Sequence, residues 1–122
     1  MPGFTAHFVI GAATGAAVNT VCQRGRRNER PGCKFDLGEM FACSLAAGGG
    51  ACLPDLLEPA YSPFHRRFCH SVAAAVLVAY GISGRHTFRL GWTGRMLLGM
   101  VGLGFLSHLA ADAFTPRSIP LA

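Results

Sequence analysis

Apolar and polar residues alternate along this chain in long blocks, with neither the helical nor the strand period of a soluble fold. Phe4 to Cys22 is about 19 residues without a Lys, Arg, Asp or Glu. As a helix it would reach roughly 28 Å, close to the ~30 Å hydrocarbon core of a bilayer. Three more apolar blocks follow, and together they predict helices over approximately 4–22, 37–54, 68–84 and 96–114. The fold class expected is all-α: a polytopic membrane protein of about four transmembrane helices in a small bundle, with 1–122 as one membrane-embedded domain. The third block is short for a span and implies tilt or local thinning. Gly11-x-x-x-Gly15 in the first block suits close helix packing. Gly48–Gly50 in the second would weaken a lone helix, and marks either a close neighbour or a break.

Polar islands separate the blocks. Arg24–Lys34 reads as a basic loop broken by Pro31 and Gly32, after which Asp36 and Glu39 open the second helix, where acids suit the dipole. The central island runs from Leu53 to Ser71, and Pro54, Pro59 and Pro63 prevent a regular helix across it. Arg85–Arg95 is a second basic loop, carrying the single tryptophan, Trp92, at interface depth.

Composition agrees with this pattern. Hydrophobic residues make up 51% of the chain and charged residues only 14%, against about 25% charged in an average soluble protein. A net charge of +5 raises nucleic acid as a partner. The bases sit in short loops between apolar blocks, however, where they act as topology signals and lipid-phosphate contacts, so no nucleic-acid partner is expected. Five cysteines without C-x-x-C spacing point to reduced, semi-buried thiols. The start of the chain has no basic n-region, so the first block is expected to stay as a membrane helix.

The two basic loops hold eight of the eleven Lys and Arg residues and should face the cytoplasm. An even number of spans then puts both ends of the chain and the central island at the opposite membrane face. His7, Asp55, Glu58, His65, His70, His108 and Asp112 all fall at that depth. His108 and Asp112, four apart, share a helix face. Taken alone they explain themselves as one interhelical clamp, for instance with Arg66 or Arg117. Taken together, His7, Asp55, His65, His70, His108 and Asp112 form a nitrogen–oxygen set suited to a divalent metal, zinc first, manganese or iron next. Neither a G-x-S-x-G turn, a Walker loop nor a redox cysteine pair occurs. Metal-assisted hydrolysis of a lipid-like or phosphoester substrate is therefore the expected chemistry, with Glu58 as general base. The alternative is a non-catalytic membrane interaction protein whose polar cluster only packs helices. Membrane lipids are the expected partners, and nothing in the sequence sets an oligomeric state.

At these residues the chain resembles the YdjM-type family of inner-membrane, metal-dependent hydrolases. The matching pieces are His7, Leu53-Pro-Asp55, His65-Arg66 with His70-Ser71, Ser107-His108 through Asp112, Thr115-Pro116 and Pro120-Leu121, in the family's order across nearly the whole chain. The resemblance implies an inner-membrane protein whose His and Asp residues hold metal. Two departures stand out. Relatives usually read Pro-Asp-Ile/Leu-Asp-His where this chain has Leu57 and Glu58, and His-Arg-Gly with Thr-His-Ser where it has Arg67 and Cys69. A two-metal centre of the family's kind would need Glu58 to stand in for the missing acid.

Overall fold

The computed structural model describes residues 3–58, 69–83 and 90–114. It is all-helical: α1 (Phe4–Glu29), α2 (Leu37–Leu57), α3 (Val72–Ile82) and α4 (Trp92–Ala113). Three of the four, α1, α2 and α4, are long and apolar enough to cross a membrane, and α3 is a shorter apolar helix. His65 lies outside the described residues, as do Arg66, Arg67, Thr115–Arg117 and Pro120–Leu121.

Three helices outrun the apolar blocks that announce them. α1 continues seven residues past Cys22, so Arg24, Arg26 and Arg27 are helical and not in a loop. Arg and Glu are good helix formers, and a helix needs apolar side chains only where it crosses lipid. It stops at Arg30, whose backbone (φ −134°, ψ 85°) has left the helical region that the following Pro31 disfavours. At 26 residues it is about 39 Å long and must project beyond the hydrocarbon. α4 likewise begins at Trp92, so Arg95 is helical and not in a loop. α2 passes through Pro54 to Leu57; Pro54 brings no N–H to the Gly50 carbonyl, a loss the last turn tolerates. α2 starts at Asp36, whose carboxylate accepts from the Glu39 N–H at 2.9 Å. α3 starts later than its block suggests because Ser71 caps it, accepting from the Ala74 N–H at 3.1 Å.

Packing is led by absent side chains. A Cβ on Gly11 would fall 2.5 Å from the Ala51 Cβ and 2.6 Å from the Ala47 carbonyl, and one on Gly15 would meet Ala47 and the Cys43 carbonyl just as closely. Gly50 lies against the Val101 backbone, and Gly104 against the Ala47 backbone. The glycine triplet is therefore a contact, not a break, in a continuous helix. α1 packs on α2 and α4, α2 packs on α4, and α3 packs on α4. Cys43, Ala47 and Met100 share one buried cluster, and Ala74, Phe105 and Leu109 another. These contacts make α1 and α3 antiparallel to α2 and α4.

The interior is small and polar while the exterior is large and apolar. His7, Asn19, Gln23, His70, Ser71, His108 and Asp112 are buried, whereas Phe41, Leu45, Val76, Leu77 and Val9 are exposed. In water this distribution would be inside out; in lipid it is the expected one. Buried side chains on α1 recur every four residues, at His7, Gly11, Gly15, Asn19 and Gln23. At the far end of that stripe Gln23 clamps the Asp36 backbone at two points, 2.7 Å each. Asn19 donates to Glu39 at 2.7 Å, and Arg26 pairs with the same carboxylate.

Candidate metal centre

Antiparallel order places the start of α1, the end of α2, the start of α3 and the end of α4 at one end of the bundle. His7 comes from the first turn of α1, and Asp55 and Glu58 from the end of α2. His70 directly precedes the α3 cap, and His108 and Asp112 lie in the last two turns of α4. The structure thus gathers His7, Asp55, Glu58, His70, His108 and Asp112, that is, every candidate that falls within the described residues.

One imidazole has its tautomer set by its neighbour. His108 Nδ1 is 2.7 Å from the Ala51 carbonyl, so this nitrogen carries the proton and donates. His70 has a carboxylate at each nitrogen, Glu58 3.2 Å from Nδ1 and Asp55 3.3 Å from Nε2, so either nitrogen can donate. With the His70 proton on Nδ1, towards Glu58, both Nε2 atoms bear lone pairs and face each other at 3.1 Å. Two lone pairs at that distance require something positive beside them, a shared proton or a cation.

The carboxylates complete the shape. Asp55 Oδ1 is 3.3 Å from His70 Nε2 and 3.7 Å from His108 Nε2. Asp112 Oδ2 is 3.6 Å from His108 Nε2 and 3.9 Å from His70 Nε2. A tetrahedral ion with ligands at 2.0–2.2 Å separates them from one another by roughly 3.3–3.6 Å. Asp55 Oδ1, His70 Nε2 and His108 Nε2 are therefore spaced like three corners of one coordination tetrahedron, and Asp112 Oδ2 lies at similar distances from the two imidazoles. His7 lies alongside, its ring stacked on His108 at 3.7 Å between centroids. It is 1% exposed, and neither ring nitrogen makes a hydrogen bond; the nearest acid oxygen is Asp112 Oδ1, at 3.6 Å.

Charge favours the same reading. Asp55 and Glu58 sit at the C-terminal end of α2 and Asp112 at that of α4, where the helix dipole disfavours acids by about 0.3–1 kcal/mol each. Among the described residues the cluster sets three acids, Asp55, Glu58 and Asp112, beside three imidazoles, and acids at such depth are paired or hold a metal. His70, His108 and Asp112 are fully buried, and Asp55, at 22% exposed, is the open side of the cluster. The donor set fits a divalent metal, and two overlapping groups can hold one: Asp55, His70 and His108, and His7, His108 and Asp112.

Fold and site together define the class: a helical membrane protein with a buried His/Asp cluster able to bind a metal ion. The family model described as YdjM inner membrane protein matches residues 1–122, and the chain belongs to that family. Searches of curated proteins and of solved structures returned no match.

Glu58 is placed differently from a general base facing the ligand cluster. Its carboxylate engages Nδ1 of His70, on the ring edge away from the other ligand atoms. This is the carboxylate–histidine arrangement that orients metal ligands. Sequence reasoning did not foresee the polar network of Asn19, Gln23 and Glu39. The signal was present in the four-residue spacing of His7, Gly11, Gly15, Asn19 and Gln23, which extends one buried stripe along the whole of α1.

Proposed function

We propose that this protein is a membrane-embedded, metal-dependent hydrolase acting on a lipid-like or phosphoester substrate. The facing Nε2 atoms of His70 and His108 at 3.1 Å, flanked by Asp55 and Asp112, carry this reading. Asp55, His70, His108 and Asp112 would hold the ion, zinc by donor type, with manganese or iron as the next fits. His7 stands beside Asp112 as a fifth or second-ion ligand. When bound, such an ion supplies an acidified water and polarises an ester or phosphoryl oxygen.

The protein's own residues do the rest. The Ala51 carbonyl and the Glu58 carboxylate hold the two imidazoles in one orientation. The buried faces of His7 and His108 keep bulk water from the α1–α4 side, and the partial exposure of Asp55 leaves an approach from the membrane surface. The proposed topology puts this end opposite the cytoplasm, because Arg24–Lys34 at the other end carries the basic excess.

The competing account keeps the same contacts but fills them with a proton. A charged His70 or His108 would then only tie helices together, and the protein would be a structural or interaction module. Elemental analysis of protein purified in detergent without added chelator decides between them. About one equivalent of zinc or manganese, absent in a His70→Ala, His108→Ala double variant, is expected. A folded, metal-free wild-type protein that also fails to take up added zinc would overturn the hydrolase reading.

A further inference from the structure

A large cavity lies far from the His/Asp cluster. It measures about 710 Å³ and runs between the C-terminal half of α1 and the N-terminal half of α4. Arg95 and Asp112 are 17 positions apart on α4, roughly 25 Å, so the cavity occupies the opposite end of the bundle. Its existence has a local cause. Gly25 and Gly99 line it without side chains, and a Cβ added at either would meet nothing within 4 Å. α3 reaches only as far as Ile82, at the cavity wall.

The lining is graded along the cavity. Val18, Met96, Met100 and Leu103 line the part towards mid-membrane, and Arg26, Trp92 and Arg95 the part towards the end of the bundle. Two acids, Glu29 and Glu39, also line it. Arg26 and Glu39 are paired with each other, so neither offers much free charge, whereas Arg95 has no acidic partner among the described residues. The Arg26 guanidinium lies 5.8 Å above the Trp92 ring, which holds it towards the rim. The described residues of this end of the bundle carry six bases (Arg24, Arg26, Arg27, Arg30, Lys34 and Arg95) against three acids (Glu29, Asp36 and Glu39). A cavity that is apolar in depth and opens at interface level beside Arg95, on the net-positive end of the bundle, matches an amphiphile with an anionic head.

We infer that this cleft is a binding site for an anionic phospholipid, with the phosphate at Arg95 and an acyl chain along Met96, Met100 and Leu103. Arginine suits the phosphate because its planar fork donates two parallel hydrogen bonds, and basic pockets between membrane helices are known to select such headgroups. The volume is within the 300–1,000 Å³ common to ligand sites. This site is independent of the metal centre and of the hydrolase reading.

The chain carries its own probe, since Trp92 is its single tryptophan and lines the cleft. The full-length protein is reconstituted in phosphatidylcholine vesicles containing a small, equal fraction of phosphatidylglycerol or phosphatidylcholine brominated on the upper acyl chain. Brominated phosphatidylglycerol should quench Trp92 fluorescence several-fold more strongly than brominated phosphatidylcholine. Arg95→Gln should abolish that excess, whereas Arg24→Gln, the same charge change outside the cleft, should preserve it. Gly99→Leu changes no charge and should abolish it by filling the cleft. Equal quenching by the two lipids in the wild-type protein would overturn the proposal. So would equal losses in Arg95→Gln and Arg24→Gln, which would mean general attraction to a basic surface, or an unchanged excess in Gly99→Leu.

Discussion

His108 divides its two nitrogens between tasks, with Nδ1 donating to the Ala51 carbonyl and Nε2 turned to the centre of the cluster. That division makes it a sharp test residue. His108→Ala and Asp112→Asn should both remain folded in detergent and lose at least about tenfold in metal affinity, measured by competition with a zinc chelator. If Asp112 were only a clamp, Asp112→Asn would keep its size and hydrogen bonding and hold as much metal as the wild type. Glu58 separates orientation from catalysis. An orienting Glu58 predicts that Glu58→Gln weakens metal binding about 10–100-fold while turnover per bound metal is kept. A general base predicts the converse, normal affinity with turnover collapsed. At this scale the sequence was informative about which residues meet and silent about which atoms. His7, Asp55, His70, His108 and Asp112 follow from span parity and motif order. That Glu58 would take the outer nitrogen of His70 depends on the side-chain geometry of the last turn of α2, which spacing does not encode.

The helices are held at a separation that their glycines set. Gly104 lies on the Ala47 backbone, whereas Gly49, in the same triplet as Gly48 and Gly50, faces open space. Gly104→Ala should therefore force α2 and α4 apart, costing about 1–3 kcal/mol, and should reduce metal content although it touches no ligand. Gly49→Ala should be neutral or stabilising by up to about 1 kcal/mol. Thermal unfolding in detergent, followed by helical circular dichroism, compares the two; equal midpoints would mean that close approach does not hold the pair. The Gly11-x-x-x-Gly15 contact was legible because small residues at that spacing have one efficient use in lipid. Helix ends were less so. Hydropathy marks where a helix leaves hydrocarbon, not where its backbone stops, and α1 and α4 carry arginines on turns beyond that point.

The whole bundle has a basic end and a metal-competent end, and native cysteines mark the first. Cys33 is exposed there, while Cys43 and Cys52 are buried. In a variant retaining Cys33 alone, a membrane-impermeant maleimide should label inside-out vesicles and spare intact cells. The reverse pattern would turn the His/Asp cluster towards the cytoplasm and leave its geometry untouched. Orientation rests on the charge of whole segments, which a sequence displays openly; the cleft beside Trp92 arises where four helices fail to fill space, which it does not. The cluster has one further property, set by where its members lie along the chain. They run from His7 to Asp112, with each helix or its flank contributing. During synthesis no complete ligand set exists until the last helix has emerged from the ribosome, entered the bilayer and docked. A chain truncated before Trp92 still has His7, Asp55 and His70 but lacks the two ligands that close the set. An ion held by this cluster would thus be a certificate of biosynthesis, borne only by molecules whose translation and assembly are both finished.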